Sequence, residues 1–251
     1  MSYVKTPEQL AHIRVSCEIA SQVLREVIAA VKPGMTTGDL DALANSLARA
    51  RGTEPSFTGY LGYPSSLCVS VNDEVVHGLP GDRVLREGDV VGLDYGVKYR
   101  GYFSDLARTI TVGPPAAAPA DAQKLIDVTA TALDRGIAQV KPGNHVGDVG
   151  RAVQSYVESH GFSVVRDLVG HGVGTAVHEP PAIPNYGRAG SGVQFVPGMV
   201  VAIEPMVNVG EAAVRLLDDG WTFKTRDGSL SAHFEDTILV TERGHEVLTR
   251  R

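Results

Sequence analysis

One stretch of the sequence reads Gly88-Asp89-Val90-Val91-Gly92-Leu93-Asp94, and it returns as Gly198-Met199-Val200-Val201-Ala202-Ile203-Glu204. In both copies a glycine turn leads into an apolar run that ends on a carboxylate. This pattern is typical of a buried strand with a functional residue at its end. Upstream of each copy, Val-Lys-Pro-Gly is followed by Gly-Asp, first within 31–40 and again within 140–149. Common turn residues alone would give the same letters, but not the shared spacing. We therefore predict one domain over 1–251 with two related halves.

The two predicted halves cover about residues 1–112 and 121–251, and we expect a functional site where they meet. Thr6-Pro7-Glu8-Gln9 supplies an N-cap, a proline at the first helical position and a capping-box partner. That first helix ends at Lys32-Pro33-Gly34, and a second helix is predicted over about 39–50. Residues 113–120 are a low-complexity stretch, read as an exposed linker that leads into a third helix near Ala122.

Antiparallel strands are predicted in groups separate from the helices. Their expected bounds are Leu67–Val71, Val90–Lys98, Tyr102–Val112, Met199–Val207, Ala213–Leu217, Trp221–Thr225 and Ser231–Thr241. Segregated helices and strands favour an α+β domain, with an antiparallel sheet core covered by helices, over alternating βαβ units.

Composition excludes several classes of function. The chain has 251 residues, a net charge of −6, 43% apolar and 21% charged residues, which is ordinary for a globular protein. It has no long basic run for nucleic acid and no apolar stretch of the roughly 20 residues that cross a bilayer. The beginning lacks a signal-peptide core, and the two cysteines, Cys17 and Cys68, lack metal-knuckle spacing. We expect a cytoplasmic protein with no nucleic acid or membrane partner.

Four carboxylates and one imidazole in or beside apolar runs form a candidate metal set: Asp94, Asp105, His171, Glu204 and Glu235. Four carboxylates leave excess negative charge around one small cation, whereas two divalent ions bridged by carboxylates neutralise it. Two such ions can hold and deprotonate a water between them, which is the basis of metal-assisted hydrolysis. The sequence therefore predicts a dinuclear hydrolytic site.

Each member of this metal set has a structural alternative. Asp94 alone could cap a turn, and a single buried carboxylate could belong to a salt bridge, but four of them are better explained by cations. A lone histidine is more often structural, yet His171 stands in Gly170-His171-Gly172-Val173-Gly174, where glycines let the backbone approach a site closely. This glycine spacing does not indicate a dinucleotide, because Pro180-Pro181 would break the required helix. His77 and His178 are further candidates.

Taken together, these motifs resemble type I methionine aminopeptidases, whose fold is called the pita-bread fold. The resemblance runs from the first helix to Thr241. It rests on Tyr60 through Pro64, Cys68, Asn72, His77-Gly78, Asp94, Asp105, Gly170-His171-Gly172, His178-Glu179, Ile203 through Met206 and Ser231 through Thr237. The family's pseudo-two-fold α+β domain agrees with the internal repeat.

The resemblance implies a role for each metal-set residue. Asp94 would chelate one ion, and Asp105 and Glu235 would bridge both. His171 and Glu204 would complete the second site. The attacking group would be a hydroxide formed from water. Glu204 would also carry the proton released by that water to the leaving amine. The bound ions would be cobalt, manganese, iron or zinc, since all tolerate this ligand set.

The resemblance also implies the substrate contacts. His178 would hydrogen-bond the scissile carbonyl oxygen, and His77 would contact the amide beyond the scissile bond. The methionine side chain would occupy an apolar pocket, which suits a flexible thioether. That pocket would be formed by Tyr60, Tyr63, Cys68, Met206 and Trp221. Asn72 and Ser231 fall where the family has a peripheral monovalent-cation site.

Five positions depart from the usual family pattern, and none of them is a metal-set residue: Phe57, Leu61, Val177, His233 and Asp236. In the family, smaller residues are frequent at the place of Phe57, phenylalanine is usual at that of Val177 and glutamine at that of His233, and histidine is common at those of Leu61 and Asp236. They concern the shape of the pocket and the preference for particular substrates. The implied reaction is removal of the initiator methionine from nascent polypeptides, with the ribosome as the expected place of action, by an enzyme expected to be a monomer.

Two other functions compete with this interpretation. An X-Pro-type aminopeptidase of the same fold usually carries a further N-terminal domain, whereas this chain starts almost at the first predicted helix. A non-catalytic pita-bread binding module, or a relative that works without metal, would have lost ligands. All five metal-set residues are present here, and costly buried charges are kept for a function.

Overall fold

The computed structural model describes residues 3–250. Its long helices are α1 (Pro7–Ala30), α2 (Thr37–Ala50), α3 (Ala122–Ile137) and α4 (Val146–Ser159), with short 3-10 helices at Tyr60–Gly62 and Pro115–Ala117. Within residues 3–250, none of the helices combines the length and the apolar character needed to cross a membrane.

Seventeen short strands make up the rest of the regular structure. They are β1 (Glu54–Pro55), β2 (Leu67–Val71), β3 (Glu74–Val76), β4 (Val90–Tyr95), β5 (Val97–Tyr99), β6 (Tyr102–Phe103), β7 (Leu106–Thr111), β8 (Ser163–Val164), β9 (Gly170–Gly172), β10 (Glu179–Ile183), β11 (Val200–Ile203), β12 (Met206–Asn208), β13 (Val214–Leu216), β14 (Phe223–Thr225), β15 (Ser231–His233), β16 (Asp236–Thr241) and β17 (Gly244–Val247). They pair antiparallel in five groups, ordered β1-β5-β6, β2-β4-β7, β13-β14-β3, β15-β12-β8 and β10-β9-β11-β16-β17. The predicted α+β class is confirmed.

Helix starts follow the capping signals of the sequence. The Thr6 hydroxyl accepts from the backbone N–H of Gln9, and the Gln9 side chain accepts from the N–H of Thr6. The same reciprocal pair links Thr36 and Asp39, so α2 begins at Thr37 rather than at Asp39 as expected. The third helix begins at Ala122, as predicted. Local capping chemistry therefore sets these boundaries.

The predicted long strands are correct in place but are interrupted. The predicted strand Val90–Lys98 breaks at Gly96, where a Cβ would stand only 2.1 Å from the Ser56 hydroxyl oxygen. The predicted strand Met199–Val207 breaks at Glu204-Pro205, because proline has no N–H to continue the pairing. The predicted strands Tyr102–Val112 and Ser231–Thr241 break before Leu106 and Asp236. Three of the four carboxylates of the metal set lie at these breaks.

The internal repeat is visible in the backbone hydrogen bonds. Gly34 and Gly143 both have a φ of 90°, and their N–H groups donate to the carbonyls of Leu85 (2.9 Å) and Phe195 (3.3 Å) respectively. The pairing order β2-β4-β7 in the first half corresponds to β9-β11-β16 in the second. In each half, two helices pack against these strands. This correspondence supports the predicted halves.

Each half buries its own apolar core. In the first, α1 and α2 pack on β2, β4 and β7, and in the second α3 and α4 pack on β11 and β16. The two halves are joined at the metal-set residues: Ala107 and Glu235 form an isolated antiparallel bridge, and the N–H of Asp105 donates to the Thr237 hydroxyl at 3.1 Å. Burial of two apolar cores thus places the carboxylate-bearing strand ends at one junction.

Candidate functional site

Strand pairing brings the five metal-set residues together. Asp94 lies in β4, opposite Ala107 of β7, and Asp105 lies directly before β7. His171 lies in β9, opposite Ala202 of β11. Glu204 directly follows β11, and Glu235 directly precedes β16, which is the other neighbour of β11. The expectation that Asp105 lies on a strand is wrong by one residue. Its carboxylate nevertheless reaches the same face as that of Asp94.

Potential ligand atoms of the metal set form two overlapping groups. One oxygen each from Asp94, Asp105 and Glu235 lie within 4.8 Å of one another, and so do one donor atom each from His171, Glu204 and Glu235. His171 Nε2 stands 3.3 Å from Glu204 Oε1 and 3.9 Å from Asp105 Oδ2. Since Glu235 belongs to both groups, the arrangement has the form of two adjacent cation sites with a shared carboxylate.

Burial raises the pKa of every carboxyl group in this cluster. Desolvation is the largest cause, and it raises the pKa of Asp94 to about 7 and the pKa of Glu204 to about 8. The pKa values of Asp105 and Glu235 are raised well above their ordinary range, because repulsion from the neighbouring carboxylates adds to desolvation. Four buried carboxylates therefore cannot all be ionised at neutral pH unless a positive charge lies among them.

Carboxylate oxygens without a hydrogen-bond partner indicate whether cations fit this cluster. Asp94 Oδ1, Asp105 Oδ1 and Glu235 Oε1 are buried and have no hydrogen-bond partner among the described residues. Buried polar oxygens without a partner are costly, and hard divalent cations prefer such oxygens as ligands. Number, type and burial of the donors thus fit divalent metal ions.

His171 is held in the form that binds a metal. Its Nδ1 lies 2.9 Å from the carbonyl oxygen of Gly172, to which it donates, and this leaves the Nε2 lone pair facing Glu204. Desolvation lowers the pKa of His171 to about 3, so the imidazole is neutral at physiological pH. A neutral ring with its tautomer fixed by a backbone carbonyl is the usual state of a metal-ligating histidine.

The metal-free protein is expected to lose stability as pH rises from about 6.5, the ordinary pKa of histidine, to the pKa of about 8 of Glu204. The sign follows because the buried carboxyl groups keep protons in the folded state over this range, whereas the same groups are ionised in the unfolded chain. Below about pH 6.5 the buried neutral histidines oppose this effect, because the unfolded chain protonates them. Urea unfolding with a chelator at about pH 6.5 and at about pH 8.5 measures the loss. Excess Mn²⁺ should oppose the loss, since ligands bind metal in the ionised form. Equal midpoints with the chelator at both pH values would contradict the expectation.

A cavity of about 550 Å³ opens beside the cluster and reaches Asp94, Asp105, Glu204 and Glu235. All five residues predicted for the methionine pocket line it: Tyr60, Tyr63, Cys68, Met206 and Trp221. The rings of Tyr63 and Trp221 meet edge to face at 5.1 Å, which fixes one wall. The cavity is thus an apolar chamber with the polar cluster at one side.

His77 and His178 also line this cavity. Nδ1 of His178 lies 3.0 Å from the Tyr60 hydroxyl, and its ring centroid lies 4.2 Å from that of His171. Desolvation lowers the pKa of His178, and it lowers the pKa of His77 to about 4. Both rings are therefore neutral near pH 7, so each can offer one N–H to a substrate carbonyl.

The departures from the family pattern have distinct places. Phe57 and Val177 are buried together with Tyr63 and Cys68 in one apolar cluster at the pocket. Leu61 is 79% exposed at the rim of the cavity, with a φ of 50°. These three residues shape the cavity without replacing a polar group of the cluster.

Asp236 is a structural residue. It is fully buried, and its carboxylate is paired with Arg108 at 2.7 Å and with Arg250 at 2.6 Å. The Thr249 hydroxyl donates to it as well. The two arginines neutralise the charge of Asp236, which separates it from the unpaired carboxylates beside it.

His233 is the residue of this site that sequence reasoning noted only as a departure. Its Nε2 is buried, has no hydrogen-bond partner among the described residues, and lies 3.5 Å from Glu204 Oε2 and 3.9 Å from Glu235 Oε2. The signal in the sequence was its position two residues before Glu235, since alternate residues of a strand share a face. The strand ends at His233 and the next one, β16, begins at Asp236, so the alternation of a continuous strand does not by itself place His233 and Glu235 on one face.

Asn72 and Ser231, expected near a peripheral monovalent cation, are adjacent, because the N–H of Ser231 donates to the Asn72 carbonyl at 2.9 Å. The Asn72 amide donates to Asp89, and the Ser231 hydroxyl donates to Asn208. These contacts account for both side chains within the protein. The cation site stays a prediction.

Comparison with known proteins identifies the family. The model of metallopeptidase family M24 matches residues 11–242. Methionine aminopeptidase 1 of Bacillus subtilis is 46% identical over 250 residues, covering 100% of both chains. The crystal structure of the methionine aminopeptidase from Thermotoga maritima superimposes with a TM-score of 0.97 at 45% identity, again over 100% of both chains.

A more distant likeness concerns the fold alone. The prolidase from Pyrococcus horikoshii has a TM-score of 0.79 at 24% identity, and the match covers 99% of this chain but 63% of that one. The full-length matches above, together with the pita-bread arrangement and the paired ligand groups, decide the classification. The chain belongs to metallopeptidase family M24 and, within that family, to the methionine aminopeptidases.

Proposed function

We propose that this chain is a metal-dependent aminopeptidase that removes the initiator methionine from new polypeptides. The observation that carries the proposal is the position of an apolar cavity of about 550 Å³ directly beside five side chains that could hold metal ions. Full-length similarity to methionine aminopeptidases supports the same activity.

The metal centre is proposed to hold two divalent ions. Asp94 would chelate one, Asp105 and Glu235 would bridge both, and His171 and Glu204 would complete the second site. Cobalt, manganese, iron and zinc all suit this mixture of carboxylate and imidazole. When bound, the ions supply Lewis acidity and a reactive water at neutral pH.

Glu204 is proposed to move the proton of the reaction. Its carboxyl group lies at the wall of the cavity, and burial raises its pKa to about 8 in the metal-free site. A buried carboxylate in this position can accept a proton from the attacking water and deliver it to the leaving amine. Asn185 supports the segment, since its side-chain amide donates to the Glu204 carbonyl at 2.9 Å.

His178 and His77 are proposed to bind the peptide at its scissile end. His178 would donate to the scissile carbonyl oxygen, where negative charge develops during attack. His77 would contact the amide beyond that bond. The methionine side chain would lie against Tyr63, Cys68 and Trp221, whose surfaces accept a flexible thioether.

The rival activity is cleavage before proline, as in the prolidases that share the fold. Apart from the apolar cavity, no single contact among residues 3–250 favours that substrate, and the high-identity relatives do not carry that name. A binding module without catalysis is disfavoured, because it has no use for unpaired buried carboxylates.

Peptide hydrolysis distinguishes these functions. We expect chelated enzyme to be inactive on Met-Ala-Ser and to regain methionine release with manganese or cobalt, while Leu-Ala-Ser and Ala-Pro-Ser stay uncut. Liquid chromatography of the products measures the result. Cleavage of Ala-Pro-Ser instead would assign the chain to the proline-specific activity. If none of the three peptides is hydrolysed with any metal, the result would favour the non-catalytic binding module.

The cellular setting is proposed from the same chemistry. The substrate would be the N-termini of nascent chains at the ribosome. The enzyme would act in the cytoplasm as a monomer of one domain with two halves. Both cysteines are free and buried, which suits a reducing compartment.

A further inference from the structure

We propose that the ion pair between Lys5 and Glu179 positions His178 for catalysis. Lys5 precedes the first helix, and Glu179 directly follows His178 in the sequence. The inference rests on the role proposed above for His178. Neither Lys5 nor Glu179 is placed among the groups that touch the reacting bond. They act through the backbone that carries the imidazole.

Glu179 ties together the segment in front of His178. Its Oε2 accepts from Lys5 Nζ, and its Oε1 accepts from the N–H of Thr175, from the Thr175 hydroxyl at 2.5 Å and from the N–H of Ala176 at 2.9 Å. Only 4% of the Lys5 side chain and 13% of the Glu179 side chain are exposed. The three hydrogen bonds to Oε1 therefore hold residues 175–179 in one conformation, and the bond to Oε2 ties that segment to Lys5.

Lys5 is itself fixed to the scaffold of the metal centre. Its N–H donates to the carbonyl of Gly198 at 2.8 Å, just before the strand that leads to Glu204. The segment also lies against the beginning of α1. A Cβ on Gly174 would stand 2.6 Å from Ile13 Cδ1 and 3.2 Å from Lys5 Cε. The ion pair between Lys5 and Glu179 thus connects residues 175–179, which include His178, to β11, the strand that leads to Glu204.

His178 needs such a connection because its own side chain is exposed. The hydrogen bond described for the ring is the one between Nδ1 and the Tyr60 hydroxyl, at 3.0 Å. This bond and the edge-to-face contacts of the ring with Tyr60 and His171 orient the imidazole, but they do not hold the backbone that carries it. The N–H that stabilises an oxyanion must be held to a fraction of an ångström. Restraint of the backbone by Glu179 supplies that precision.

A buried ion pair could instead serve only to stabilise the fold. Double substitution separates the two roles. If Lys5 acts through His178, then Lys5→Met costs activity only while His178 is present. If Lys5 merely stabilises the fold, any loss of activity is the same with or without the imidazole.

The test compares Lys5→Met in the wild type and in His178→Ala, each loaded with manganese, on Met-Ala-Ser at a temperature where all variants are folded. We expect Lys5→Met to lower kcat roughly tenfold in the wild type, with KM nearly unchanged, because a small misplacement of a catalytic group has that effect. In His178→Ala the same change should cost less than about twofold. Arg14→Met is the control, because it removes a different ion pair near the beginning of the chain, that between Arg14 of α1 and Glu246. It should leave kcat unaltered.

Amide hydrogen exchange gives a readout that does not depend on activity. Lys5→Met should speed exchange in residues 173–179, whereas Arg14→Met should not. An unchanged exchange rate, an unchanged kcat, or an equal tenfold loss in the His178→Ala background would each overturn the proposal. If Lys5→Met does not fold, Glu179→Asp, which keeps the charge but shortens its reach, takes its place. A wild type that is inactive with every metal would refute the proposed function instead, and exchange would still decide whether Lys5 restrains the segment.

Discussion

Glu204→Gln is expected to lower kcat on Met-Ala-Ser by at least roughly a thousandfold, within the range that general acid–base groups contribute. The amide cannot take up a proton from water or give one to the leaving amine. It also removes one negative charge from the ligand set, so the affinity for the metal ions should fall. The measurement is single-turnover release of methionine at saturating manganese, which separates the loss of proton transfer from incomplete loading.

The fold should survive this substitution. Burial already raises the pKa of Glu204 to about 8, so the metal-free protein carries this side chain largely neutral at pH 7, and a neutral amide of the same shape replaces it. Glu242→Gln makes the same chemical change at an exposed position and should leave kcat unaltered. A Glu204→Gln enzyme that is saturated with metal and retains normal turnover would refute the proton-transfer role.

His178→Ala is expected to lower kcat on the same peptide by roughly two to three powers of ten, the usual loss when one donor to an oxyanion is removed. The loss should fall on kcat more than on KM, because the hydrogen bond strengthens as charge develops on the carbonyl oxygen. Metal binding, measured by calorimetry with manganese, should change little, since the five proposed ligands remain.

A matched control exists for the loss of an imidazole. His160 lies at the end of α4, with its ring centroid 4.4 Å from that of Tyr156 and the two rings tilted by 52°, and it lies outside the cavity beside the metal set, so His160→Ala should keep full activity. Tyr60→Phe removes the hydroxyl that contacts His178 Nδ1 and should cause a smaller loss than His178→Ala. If His178→Ala lowered kcat no more than His160→Ala does, the role of His178 in stabilising the intermediate would be wrong.

Two departures from the family pattern, Phe57 and Val177, concern the preference for particular substrates. Phe57 and Val177 both pack into the pocket cluster, which suggests that a larger residue at 57 and a smaller one at 177 balance each other in volume. Interiors are packed closely enough that such a pair compensates well. The apolar cavity proposed to receive methionine therefore persists although Phe57, which lines it, and Val177, which packs in the same apolar cluster, depart from the family pattern.

Much of the fold could be predicted because its signals are local. Thr6 and Thr36 each cap a helix through partners three residues away, so the sequence contains the whole interaction. The glycines at 34 and 143 mark equivalent turns because each adopts a positive φ that other residues avoid. The four carboxylates of the metal set could be predicted because carboxylates in or beside apolar runs contradict the strand pattern unless something neutralises them, and His171 could be predicted from the glycines around it.

Tertiary structure decided what depends on residues distant in the sequence. Whether a carboxylate is paired or bare cannot be read locally: Asp236 is neutralised by Arg108 and Arg250, whereas Oε1 of its neighbour Glu235 has no hydrogen-bond partner among residues 3–250. The breaks in the strands, the position of His233 against Glu204 and the contact of Lys5 with Glu179 arise in the same way. The sequence by itself determined which side chains could bind metal and where the helices begin, because propensity and capping act over a few residues. The pKa values and the partners of these side chains were determined only by the packing of the two halves. Desolvation and long-range pairing exist only once both cores are buried.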